Sequence, residues 1–199
     1  KVFLDSINIM YDSLGMVTNE EQRELVISKI NDLTIKSAEF AIPNETDIIL
    51  KEYGSTALNA YTSFVRTAYH NTFPPHQIER WLEIYYERFR NPVFRLFQSE
   101  LETVYEERNM YADMMSSEFQ DDMLKKFFQK HPYGQQKLIG SIEHLKNPSI
   151  TKMNQFYKDY YVANNMALII SGDFDSKTVL PIIKEKFGNK TIAAYWQGC

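Results

Sequence analysis

The apolar positions of this chain recur mostly at helical spacing. Phe3, Ile7, Met10, Tyr11 and Leu14 fall every three or four residues and predict a helix over Val2 to Leu14, ended by Gly15. Thr18, with Glu21 three residues on, has the form of a capping box opening a second helix. Its apolar positions are Leu25, Ile27, Ile30, Leu33 and Ile35, running towards Phe40. Pro43 interrupts it, and Asn44 is a suitable cap for a short helix through Tyr53, closed by Gly54. The texture then changes to small, β-branched and aromatic residues, which predicts a strand over Leu58 to His70 ended by Pro74-Pro75. Helical spacing resumes from His76 to Arg90, breaks at Asn91-Pro92, and continues in a helix beginning near Val93 that runs or kinks through Met115. Further helices are expected over Phe119 to Lys130, Ser149 to Tyr160 and, capped by Ser176, through Phe187. Met166 to Asp173 reads as a buried strand with a turn at its end. Helices segregate around few strands without a βαβ rhythm, so the expected class is α+β, with helices packed on a small, mainly antiparallel sheet.

Composition narrows the function classes. With 199 residues, 44% hydrophobic and 14% aromatic, the chain can bury a sizeable core. A net charge of -4 with both signs interspersed gives no basic patch for phosphates, which argues against nucleic-acid binding. The longest apolar run, Met166 to Ile170, is strand-sized and far short of the roughly 20 residues a bilayer requires. The single cysteine, Cys199, leaves no internal disulfide to form. The start at Lys1, with neither methionine nor a leader-like stretch, suggests a fragment or processed form.

The helix around Phe97 to Asn109 carries the most suggestive chemistry. Phe97, Leu101, Val104 and Tyr105 form an apolar stripe, with Glu100, Thr103 and Glu107 on a neighbouring face. Seven residues apart, Glu100 and Glu107 point nearly the same way, roughly 10 Å apart. Taken alone, such a pair is most simply solvated surface, as Glu102 and Glu106 are read to be. The alternative is a carboxylate aimed at a metal or substrate.

Six segments in order bear on that choice: Leu58 to Ser63, Asn91-Pro92-Val93-Phe94, Glu100 with Glu107, His131-Pro132-Tyr133-Gly134, Tyr160 to Met166, and Ser171 to Asp175. Their succession resembles the N-terminal half-domain of the insulinase/pitrilysin zinc peptidases, the inverted zincins, over about residues 43–188. On this resemblance Glu107 is the third zinc ligand and Glu100 a supporting carboxylate that orients a ligand histidine. Asn59, Ala60, Tyr61, Thr62 and Ser63 are the sheet edge that pairs with an extended peptide substrate. The partners implied are that peptide and the remainder of a longer chain, including a C-terminal half. The compartment implied is the bacterial cell envelope or periplasm.

The chain departs from the family pattern at the site that matters most. The family's remaining ligands and its general base come from His-x-x-Glu-His, and none of the four histidines stands in such a motif. The nearest approach, Gly140-Ser141-Ile142-Glu143-His144, has glycine in place of the first histidine. His131 is read as a loop or capping residue, and His70, His76 and His144 as structural. Gly172-Asp173-Phe174-Asp175 lacks the oxygens of a calcium loop and fits a strand-to-helix turn. Val65 stands where many members have aspartate.

The expectation is therefore an incomplete half-domain. Residues 1–42 form a helical appendage, 43–189 the partial peptidase domain, and 190–199 an uninterpreted tail. The parent would use zinc; these residues alone would bind it weakly and be inactive. A second reading is a non-catalytic homologue that holds a peptide or a partner subunit through the same sheet. Missing core partners would leave apolar surface exposed and favour self-association.

Overall fold

The structure, a computed structural model, describes residues 2–90 and 92–188. The Asn91 break and the tail with Cys199 lie outside the described residues. The helices are α1 (Val2–Leu14), α2 (Glu20–Ala38), α3 (Glu45–Glu52), α4 (Ile78–Arg90), α5 (Phe97–Ala112), α6 (Met115–Phe127), α7 (Pro132–Gln135), α8 (Ile142–Lys146), α9 (Ile150–Tyr160) and α10 (Ser176–Gly188). Two strands, β1 (Thr56–Thr62) and β2 (Thr67–Thr72), pair as one antiparallel hairpin. The class is α+β, as the sequence pattern implies.

The chain falls into two compact units. The first comprises Lys1–Ile42, Tyr61–Ala68 and Phe94–Thr151, and the second Pro43–Ala60, Tyr69–Val93 and Lys152–Cys199. Helices α1 and α2 thus share a unit with α5 to α8. The tip of the β1–β2 hairpin belongs to the first unit and its base to the second.

In the first unit, Ile7, Tyr11 and Leu14 of α1 pack with Ile30 and Ile150 in a buried cluster. Phe94, Phe97 and Leu101 lie against it, partly buried. In the second, Leu50, Trp81, Leu82, Tyr85, Val179 and Ile183 form the core, flanked by Leu58, Tyr69, Phe73, Leu168 and Ile170. Trp81, Tyr85 and Tyr86 of α4 are therefore buried, with Phe89 partly buried against the same core. Two polar atoms of α4 share one partner: Asn71 Oδ1 accepts from Trp81 Nε1 at 2.9 Å and from Tyr85 Oη at 3.0 Å, while Asn71 Nδ2 donates to Ser55 Oγ at 3.0 Å. A buried indole N–H and phenol O–H each need such a partner, and here one amide serves both.

Several boundaries differ from the expected ones. The stretch 58–70 is not one strand but a hairpin. Residues 63–66 turn the chain, with Ser63 N–H donating to Arg66 O at 2.8 Å, because β-branched and aromatic composition signals strand without marking a turn that lacks glycine. The cap of α2 is Asn19, not Thr18; its side chain accepts from Gln22 N–H at 3.0 Å, one residue inside the predicted capping box. Asn44 precedes α3 in a left-handed conformation (φ 55°) and makes no side-chain cap bond. The helix expected from Val93 through Met115 starts at Phe97 and stops at Ala112, with α6 beginning afresh at Met115. Residues 166–170 have no ladder partner among the described residues. There Leu168 and Ile170 pack on the core while Ile169 is 85% exposed, so the run is not buried on both sides as its unbroken hydrophobicity implied.

Candidate metal and peptide site

Helix α5 has two chemically different sides. Phe97 packs edge-on to Tyr11 at 5.2 Å between ring centroids, and Gln98, Leu101, Glu102, Tyr105 and Glu106 face a cavity of about 320 Å³ shared with residues of α1, α2 and α8. Tyr11 Oη donates to Gln98 Oε1, and Gln98 Nε2 donates to Glu102 Oε1 at 2.8 Å. Burial, reinforced by the Glu102 carboxylate, pushes the Tyr11 hydroxyl up to about 12. Glu100 lies roughly half a turn round the helix from Glu102, and Glu107 about 100° from Glu106. Both are exposed and neither lines the cavity. The pair singled out by its seven-residue spacing is thus on the open side of α5; Glu102 and Glu106, read as solvated, are exposed as well, and they border the cavity.

Among the described residues no three His, Cys, Asp or Glu side chains converge to hold a metal ion. Carboxylates alone bind zinc weakly and with little selectivity, so any tight site built on Glu107 requires nitrogen or sulfur ligands from elsewhere.

The histidines have local roles where the structure gives them one. His131 caps α7, its Nδ1 accepting from Tyr133 N–H at 3.3 Å. In the segment nearest to the missing motif, Gly140 turns the chain at φ 85°, and Ser141 Oγ accepts from the His144 backbone N–H at 3.1 Å to cap α8. Glu143 and His144 are both exposed on that short helix.

The expected peptide edge lies along β1. Asn59, Ala60, Tyr61 and Thr62 are exposed, and Ser63 is half-buried at the start of the turn. Thr62 and Thr67 face each other, their hydroxyl oxygens 3.2 Å apart. With Ser63 bonded to Arg66, antiparallel alternation turns the main-chain groups of Thr62 and Ala60 away from β2. One of these donors is already occupied: Ala60 N–H donates to Asn59 Oδ1 at 2.8 Å. The sequence also gave no sign of the ring contact at the turn, where Phe64 stacks on Tyr133 at 4.5 Å. Sixty-nine residues of separation leave no periodic signal for it.

Comparison with known proteins settles the family. The model for insulinase (peptidase family M16) matches residues 36–139, over half the chain, and that for the peptidase M16 inactive domain matches 149–194. The chain belongs to the insulinase family. Two bacterial relatives named as uncharacterized zinc proteases are YmfH of Bacillus subtilis and ML0855 of Mycobacterium leprae. The first is 27% identical over 66% of this chain and the second 26% over 68%. The first half of the periplasmic protease PqqL from Escherichia coli shares the fold, with a TM-score of 0.61 and 22% identity over 71% of this chain. The chain spans 31% of the length of each of these three. Among the described residues, no helix is long and apolar enough to cross a membrane.

Proposed function

We propose that this chain is part of the catalytic half of a zinc-dependent metalloendopeptidase acting on peptides or small unfolded proteins, and that it is inactive alone. The observation carrying this reading is the disposition of α5. Glu100 and Glu107 share its open side, while the opposite side packs and lines a cavity. Glu107 would supply one zinc ligand and Glu100 would orient another, both completed by histidines outside these residues. When bound, zinc would supply a polarised water for amide hydrolysis. The edge from Asn59 to Ser63, exposed along β1 as far as Thr62, would receive the peptide as an added strand through its outward main-chain groups. A periplasmic or envelope location is part of the same proposal, supported by the description of PqqL as periplasmic.

The match of residues 149–194 to a model described as an inactive domain favours one other reading, a non-catalytic peptide-binding or partner-binding module. A fluorogenic peptide assay separates the two. The complete polypeptide should hydrolyse the peptide and stop when a zinc chelator is added, while residues 1–199 alone should not hydrolyse it. Chelator-resistant hydrolysis, or hydrolysis by the 199 residues alone, would overturn the proposal. Peptide binding without hydrolysis by the complete polypeptide would establish the binding-module reading instead.

A further inference from the structure

The His131-Pro132-Tyr133-Gly134 segment follows α6 and meets the turn of the β1–β2 hairpin. Each of its residues has a physical reason to be there. His131 caps α7 through Nδ1, and Pro132 occupies the first helical position, where its missing N–H costs nothing. Gly134 comes so close to the end of α6 that a Cβ there would stand 2.3 Å from Phe128 O and 2.8 Å from Leu124 O. Only glycine lets the segment close down on those carbonyls. Tyr133 is thereby held edge-on to Phe128 and His131, at 5.6 and 4.4 Å between centroids. Its ring stacks on Phe64 at 4.5 Å with 24° between planes. Phe64 occupies the turn that follows Ser63, so this stack fixes the end of β1 from which a peptide edge would extend.

We propose that Tyr133, set by Gly134 and His131, is a positioning residue for the peptide-binding edge: its stack on Phe64 holds the hairpin tip in the conformation that accepts an added strand. The peptide part rests on the reading of β1 given above; the clamp does not. Besides this stack the turn has only short-range hydrogen bonds among the described residues: Ser63 N–H and Oγ donate to Arg66 O at 2.8 and 3.3 Å, and Val65 N–H donates to Ser63 Oγ at 3.4 Å. Phe64 is 42% exposed and Val65 78% exposed, and Arg66 lies over the Tyr61 ring at 5.4 Å. Ordering the tip before binding removes an entropic cost from strand addition.

Two readouts on the 199-residue chain test this. One is the amide exchange rate of Ser63, whose N–H closes the turn. The other is the Kd of a fluorescein-labelled ten-residue Val/Thr peptide measured by anisotropy. Tyr133→Ala should speed Ser63 exchange about ten-fold while Leu82 exchange is unchanged, and should weaken peptide binding roughly five-fold, the scale of one aromatic stack. Tyr133→Phe keeps the ring and should restore both within about two-fold. Phe64→Ala removes the same stack from the exposed turn without touching α7, and serves where Tyr133→Ala does not fold. It should match Tyr133→Ala, and the double variant should add little. Unchanged Ser63 exchange in both single variants overturns the clamp, as does a Tyr133→Phe variant that behaves like Tyr133→Ala. Faster exchange with no peptide bound even by the wild type upholds the clamp and removes the peptide-edge reading. Faster exchange with unchanged peptide affinity overturns the positioning role.

Discussion

The two units solve the problem of burial differently. The second has a closed core of Trp81, Leu82, Tyr85, Val179 and Ile183, with its buried indole and one phenol satisfied by Asn71 and with Tyr69 Oη paired to Tyr161 Oη at 2.9 Å. The first has a smaller buried cluster, and neither α5 nor α6 contributes a fully buried residue to it. On α6 an apolar stripe at four-residue intervals faces outward: Met115, Phe119, Met123 and Phe127 are 85%, 72%, 40% and 78% exposed. Helix α6 is thus amphipathic without burying its apolar face among the described residues, the arrangement expected of a surface awaiting a partner. What stabilises the second unit lies within its own residues. In the first unit the open side of α5 carries the glutamates of the proposed metal site.

The comparison breaks most readily at its cores. Leu82→Ala should cost about 3–4 kcal/mol and abolish cooperative unfolding of the second unit, whereas Ile30→Ala should cost about 2–3 kcal/mol in the less enclosed cluster. Urea melts followed by Trp81 fluorescence and by exchange of α1 amides would read the two separately. Equal losses would remove the distinction. Asn71→Ala should cost about 2 kcal/mol, because two buried donors lose one acceptor together, and the Trp81 emission should shift as its N–H is released.

Alkaline pH tests both units through their tyrosines. Burial raises Tyr11 in the first unit and Tyr157 in the second from the ordinary 10 to about 12, and burial with the Tyr161 hydrogen bond raises Tyr69 as well. Because the folded values lie above the unfolded ones, this stabilisation is complete below about pH 10 and is lost as pH rises towards about 12. The tyrosinate absorbance lost in Tyr11→Phe or Tyr157→Phe relative to the wild type should therefore appear together with loss of helical dichroism; ionisation of those two side chains near pH 10 with the fold intact would contradict the burial described. The smallest stability effect is expected at Phe119→Glu, within about 0.5 kcal/mol, since the side chain is already in water. Its effect should instead be a drop in hydrophobic-dye binding and in self-association.

The sequence was most informative where periodicity is long and the chemistry local. The span of α1 followed from Phe3, Ile7, Tyr11 and Leu14, and α9 and α10 came within a residue of their predicted limits. It was least informative where one pattern fits two structures. The β-branched and aromatic run from Leu58 to His70 reads as strand throughout, because no glycine marks the turn at Ser63. Met166 to Ile170 is apolar enough for a buried strand, yet only Leu168 and Ile170 face the core. At the candidate site, the spacing of Glu100 and Glu107 was enough to place them on one face. The stripe of Phe97 and Leu101 also anticipated the side of α5 that packs, but not that Glu106 beside Tyr105 would border a cavity. That depends on α1, α2 and α8, far away in sequence. The Tyr133 stack on Phe64 was illegible for the same reason, although the segment holding it was conspicuous.

The central claim is that the open side of α5, and not the cavity side, carries metal chemistry. The most direct measurement is the zinc content of the complete polypeptide after gel filtration, compared between Glu107→Gln and Glu102→Gln. The account predicts about one zinc per chain in the wild type and in Glu102→Gln, and at least a ten-fold loss in Glu107→Gln. Zinc retained by Glu107→Gln, or lost equally in Glu102→Gln, would contradict it.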